Sequence, residues 1–280
     1  MPTYNGNAFN ILSDVRYGIN EYSSTLVYGT DTTGAFQNAE LMRQINNAQY
    51  HLWAILFEAF PEYFLTSASL AFTSSVATLP GDCFKIRDIS DSEGYPIYPI
   101  NMGQRHIDAD TGSEHAYYRY GNTLRIDADS VTGTGTIWYY SRCRELDTGK
   151  VVTTANTLAT TAKAIADYYN NMLIENFTDS TVGTITDYSA ARLATISTNF
   201  LTSDEYYGIV SDLPEIFQPL ISEYAILQVK KSPKTPLQTT SVDVGLFGEM
   251  LQSSLKSFAG TQHGDVYIND VINDFTPMGF

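Results

Sequence analysis

The sequence predicts an α+β protein: a small helical bundle of about four helices drawn from both ends of the chain, inserted antiparallel β modules, and an extended C-terminal arm. Three observations predict it. Apolar residues recur at three- and four-residue steps in residues 41–60 and again beyond Asp212, the spacing of one helical face. Between these stretches the chain is rich in β-branched and hydroxyl residues and is cut by Gly, Asn and Asp turns, as short strands are. The tail from residue 261 to 280 has no helical stripe. The expected divisions are N-terminal helices at 1–65, a β module at 66–150, a second β-rich insertion at 151–211, C-terminal helices at 212–260 and the arm at 261–280.

Ala8, Ile11, Leu12, Val15, Ile19 and Tyr22 have helical spacing, which predicts a first helix over about 8–23, with Gly18 its weak point. Residues 30–34, TDTTG, read as a loop. The main helix follows, from near Ala35 to Phe60. Met42, Ile45, Ala48, Leu52, Leu56 and Ala59 form its apolar face, while Asn46, Asn47, Gln49 and Glu58 fall largely elsewhere on the wheel. Pro61 blocks another turn. Leu70, Phe72, Val76 and Leu79 then sit in a strand-favouring run, and Gly121-Asn122 suits a two-residue hairpin turn between 116–120 and 124–126.

The run 132–141 alternates Ile137 and Tyr139 with Trp138 and Tyr140. Bulk on both faces implies a core on one side and a protein neighbour or domain contact on the other. Tyr118, Tyr120, Trp138 and Tyr140 are therefore the candidate interface aromatics. Four or five such strands suggest a small sandwich or barrel. In the second insertion, 162–169 has room for one or two helical turns, and runs at 172–175, 183–188, 193–197 and 206–210 read as strands.

Asp212, Pro214 and Glu215 resemble a helix start with its cap. Pro219 either kinks that helix or begins its regular part. Leu220, Ile221, Tyr224 and Leu227 give the stripe, and Pro233 and Pro236 end it. Phe247, Met250, Leu251, Leu255 and Phe258 mark a last helix stopping at Gly260. In the tail, Val266, Tyr267, Ile268, Val271, Ile272, Phe275 and Phe280 are apolar anchors on a polar arm. Such an arm frays, packs on its own domain as a strand, or adds to a neighbour by strand addition.

The chain has 280 residues and a formal net charge of −15, with 31 acidic and 16 basic side chains. The basic groupings, Arg142, Arg144 and Lys150, and Lys230, Lys231 and Lys234, are too short to grip a phosphate backbone. Sequence-specific nucleic-acid binding is thus not expected; an acidic wall suits a passage through which DNA slides, while from charge alone an acidic soluble protein is the simpler reading. Cys83 and Cys143 make no disulfide framework, no basic-plus-apolar leader is visible, and no apolar run approaches the roughly 18 residues of a membrane helix. Folding in a cytoplasm with free thiols, with no membrane partner, is the expectation.

No phosphate-binding loop, nucleophile elbow, paired-cysteine or metalloprotease motif is present. His51, His106, His115 and His263 are scattered. Residues 108–114 alternate acids as a calcium loop does, but Arg119 stands where the closing Glu belongs, so a solvated loop is the simpler reading. No catalytic residue, cofactor or metal is assigned, and the chain is read as non-enzymatic.

INNAQYHLW at 45–53, LPGDCFKIRDI at 79–89 and YPIYPINMGQRHI at 95–107 resemble the head-to-tail connector (adaptor) proteins of tailed bacteriophages, the tail tubular protein A-like group of short-tailed phages. The resemblance is clear over roughly the first half of the chain and looser beyond it. It implies a structural virion protein, assembled in the host cytoplasm. In that family the protein forms a homo-oligomer ring of about twelve copies, docks beneath the portal protein, and meets the next tail component, nozzle or tail tube, while DNA passes through. The resemblance also implies portal docking for the arm. From the residues alone, a β-rich carbohydrate or receptor-binding module of a phage tail or cell surface is the alternative, and an enzyme using unpatterned carboxylates a distant third.

Overall fold

The computed structural model describes residues 6–23, 34–101, 103, 116–127, 131–151, 155–197, 201–202, 204–234 and 237–261. They divide into two compact units: Met1–Ala59 with Cys143–Phe280, and Phe60–Arg142.

The first unit overturns the small helical bundle. Its four α-helices, counted among the described residues, are α1 (Ala8–Gly18), α2 (Asn38–Ala59), α3 (Gln218–Lys230) and α4 (Ser241–Thr261). They share the unit with a five-stranded antiparallel sheet in the order β11-β10-β9-β12-β8. These strands are β8 (Thr148–Lys150), β9 (Leu173–Asn176), β10 (Thr181–Tyr188), β11 (Ala194–Ile196) and β12 (Tyr206–Ile209). With two further sheets of three and four strands in the other unit, the molecule is strand-rich. An apolar stripe shows that a helix face must be covered, but not by what. Here α1 packs on β12 and β8 as well as on α2 and α3. Asn7 bridges to Val210, and Gly208 is required beside it, because a Cβ there would lie 2.0 Å from the Asn7 side-chain oxygen.

Several local expectations change for identifiable reasons. The stretch 162–169 forms turns rather than helix. Asp212 does not cap the helix near it; its carboxylate is held by Arg144 at 3.0 and 3.1 Å. A short 3-10 turn, Glu215–Phe217, precedes α3, which has Pro219 in its first turn, where the missing N–H is not needed. Leu220, Ile221, Ala225 and Val229 are buried in α3. In α4, Thr240 and Asp243 cap reciprocally at 3.2 and 2.9 Å.

The second unit is a small sandwich with its own core. One sheet has the order β1-β7-β3, the other β2-β6-β5-β4. The first comprises β1 (Leu65–Phe72), β3 (Cys83–Ser90) and β7 (Gly133–Ser141); the second, β2 (Val76–Thr78), β4 (Tyr98–Pro99), β5 (Ala116–Tyr120) and β6 (Thr123–Ile126). Leu70, Phe72, Ile89, Ile137 and Tyr139 from one sheet meet Ala77, Tyr117, Leu124 and Ile126 from the other in a single cluster. The β5–β6 hairpin turns at Gly121, whose φ of +61° suits glycine.

Candidate functional site

The sandwich places the four candidate aromatics on two outer faces. Side chains alternate along a strand, so burying Ile137 and Tyr139 turns Trp138 and Tyr140 outward. Likewise, burying Tyr117 turns Tyr118 and Tyr120 to the outer face of the four-stranded sheet. Because the two sheets share one core, these outer faces point away from each other.

Their surroundings differ. Trp138 is 45% exposed, and its partners across the sheet are Ser67 and Asp88, small or polar groups that leave the indole uncovered. Tyr140 has local work: its hydroxyl donates to Glu62 at 3.1 Å, and Glu62 also holds Arg87 at 2.6 Å. Tyr120 is 58% exposed, with the Arg125 guanidinium 5.5 Å above its ring. The arm residues Val266, Tyr267, Ile268, Val271, Ile272, Phe275 and Phe280 lie outside the described residues, as do His106, His115, His263 and the acidic loop at 108–114.

In the other unit a cavity of about 450 Å³ opens beside α1, α2 and the chain entering β8. Helix α2 positions that chain through side chains. Asn46 accepts from the Leu146 N–H at 2.7 Å and donates to its carbonyl at 3.1 Å. Gln49, expected off the apolar face, is fully buried: it donates to the Arg144 carbonyl at 2.7 Å and accepts from Ser211 at 2.5 Å. Asn46 and Gln49 thus replace the hydrogen bonds a neighbouring strand would make. They set Asp147 against the cavity wall.

Asp147 is only 5% exposed. Its carboxylate accepts from the Tyr207 hydroxyl, which itself accepts from the Ala159 N–H at 2.9 Å. Burial pushes Asp147 up to about 6, opposed by hydrogen bonds from Tyr207 and Thr161 and by the charge of Arg192, and reinforced by Glu145. The same burial, together with Asp147's charge, raises Tyr188 to about 12 and holds the Tyr207 and Tyr169 phenols well above their usual range. Nothing in the sequence marked Asp147. Its partner Tyr207 is 60 positions away, and no spacing rule joins them.

The remaining candidates have structural surroundings. His51 stacks on Tyr224 with centroids 4.7 Å apart, and burial lowers its pKa. Both cysteines are buried, the Cys83 thiol pushed up to about 11 by burial. Of the basic groupings, Arg144 is held by Asp212, Lys150 by Asp204 at 2.7 Å and Lys234 by Glu40 at 2.6 Å. Among the described residues, no group of three His, Cys, Asp or Glu side chains converges as a metal site, and no helix is long and apolar enough to cross a membrane. No family model matches the chain, and no curated protein matches it significantly.

Proposed function

We propose that the chain is a structural virion protein, a head-to-tail adaptor that forms a ring between portal and tail and lines the DNA passage. The observation that carries this reading is the pair of solvent-facing aromatic faces on opposite sides of one small sandwich, Trp138 on one and Tyr120 on the other. A closed ring of identical subunits needs two unlike patches per subunit, each meeting its complement on the next copy. Exposed Trp and Tyr are the side chains that anchor such contacts. The resemblance at 45–53, 79–89 and 95–107 and the net charge of −15 support the same reading, the charge because it repels DNA phosphates. The partners are other copies of the chain, the portal protein, docked through the arm at 261–280, and the next tail component.

Cryo-electron microscopy of the purified chain, with and without its cognate portal, tests this. A closed ring, alone or on the portal, is the expected result, with docking weakened by deletion of 261–280. A monomer that ignores the portal overturns the adaptor. A second reading rests on Trp138 between Ser67 and Asp88, an indole platform flanked by hydrogen-bonding groups on which a sugar ring stacks. A glycan-array signal from such a monomer, lost in Trp138→Ser, would favour a carbohydrate- or receptor-binding module.

A further inference from the structure

Asp147 lines a cavity and, among the described residues, makes no direct ion pair: neither Lys nor Arg lies within ion-pair distance of its carboxylate. Its neighbour Glu145 is paired with Lys163 at 2.8 Å, and Arg192, the cation that acts on Asp147 through space, donates to the Ala162 carbonyl at 2.8 Å. An ionised carboxylate has about four acceptor sites. The hydroxyls of Tyr207 and Thr161 occupy two. With neutral direct donors and one cation acting only through space, the desolvation cost of this carboxylate is only partly offset, and the open space beside it has the size of a small-molecule pocket.

The other walls define what fits there. Phe9, Leu12 and Met42 are apolar, and Tyr169 and Tyr206 present aromatic rings, which attract a cation as well as a hydrocarbon body. Arg43 also lines the space and is exposed, so a second positive charge on the ligand meets repulsion. We infer that this cavity binds a small organic monocation, an ammonium or guanidinium head on an aliphatic or aromatic body, with the head against Asp147. The site is independent of the adaptor reading and stands or falls without it.

Calorimetric titration of the full chain near pH 8 with 2-phenylethylamine, against the neutral 2-phenylethanol, tests the inference. The amine is expected to bind at least about tenfold more tightly than the alcohol. Asp147→Asn keeps an acceptor for Tyr207 and removes the charge; it is expected to abolish that preference. Ala39→Trp, at an exposed wall residue of the same cavity, leaves Asp147 intact and is expected to block both ligands. Amine binding is also expected to weaken below about pH 6, where Asp147 takes up its proton in the field of Arg192, Glu145 and the Tyr207, Tyr169 and Tyr188 phenols. Equal binding of amine and alcohol overturns the inference, as does no amine binding at about 10 mM or binding unchanged in either variant.

Discussion

Trp138 and Asp147 depart from the usual sorting of side chains in opposite directions. One is a large apolar ring left in solvent at 45% exposure; the other is a carboxylate withdrawn from it, at 5%. A buried charge is an informative departure, and so is an exposed apolar patch such as Trp138 makes with Tyr140 on the same face, whereas lone exposed hydrophobics are ordinary. The two also differ in what surrounds them. Asp147 is bound into hydrogen bonds that cross 60 positions of sequence, so altering it reaches the fold. Trp138 stands on its strand between Ser67 and Asp88, so altering it reaches only what lands on the face. Stability measurements alone thus separate the two kinds of position.

The largest effect is expected from Tyr207→Phe. The hydroxyl both donates to Asp147 and accepts from the Ala159 N–H, and its loss leaves a buried carboxylate and a part-buried N–H short of a partner at a cost of about 2–4 kcal/mol. Urea unfolding near pH 8 measures it. The loss is expected to shrink near pH 5, where the Asp147 carboxyl is protonated and less costly to leave short.

Asp147→Asn comes next and has a sign fixed by linkage. The folded chain holds the Asp147 proton up to about pH 6, against an ordinary value of 3.8. Wild-type stability from this group is therefore full below about pH 4 and is lost as pH rises through 6. Moving this proton's release from 3.8 to about 6 corresponds to about 3 kcal/mol. The variant lacks this loss, so its stability relative to wild type is expected to improve from pH 4 to 7; parallel pH profiles would contradict a desolvated carboxylate.

The difference between the two regions also explains what could be seen in the sequence. Trp138 was legible because a strand alternates by two, and Ile137, Trp138, Tyr139 and Tyr140 declare their faces by order alone. The Gly121-Asn122 hairpin was legible for the same local reason. The equivalent turn between β1 and β2 was not: Ser74 and Ser75 both take positive φ, 48° and 65°, a conformation their side chains do not advertise. Asn46 and Gln49 looked like solvent-facing polar residues on the α2 wheel, and their real partners, the backbone at 144–146, lie about a hundred positions away. The helical bundle failed likewise. Helical stripes are local, but the sheet that α1 packs on is assembled from residues beyond 147.

Trp138→Ser sharpens the contrast from the other side. An exposed side chain on a sheet face contributes little to folding, so stability is expected to change by no more than about 0.5 kcal/mol. On the adaptor proposal, ring closure, read by mass photometry, is expected to weaken by at least about tenfold. A variant that assembles as wild type does would move the subunit contact away from this face.

Tyr140→Phe is the smallest and the most discriminating change. Tyr140 shares the outer face with Trp138, and an account based on exposed aromatics alone gives both rings the same role. The hydrogen bonds separate them. Removing the Tyr140 hydroxyl leaves Glu62 paired with Arg87 at 2.6 Å, and at an exposed site this is expected to alter stability by less than about 0.5 kcal/mol. The ring stays, so apolar contact with a neighbour is preserved, and assembly is expected to proceed as in wild type. If Tyr140→Phe impaired assembly as much as Trp138→Ser, the contact would depend on the Tyr140–Glu62–Arg87 polar chain rather than on the bare indole. The partner surface would then have to be polar, since only a hydrogen-bonding group could read the lost hydroxyl.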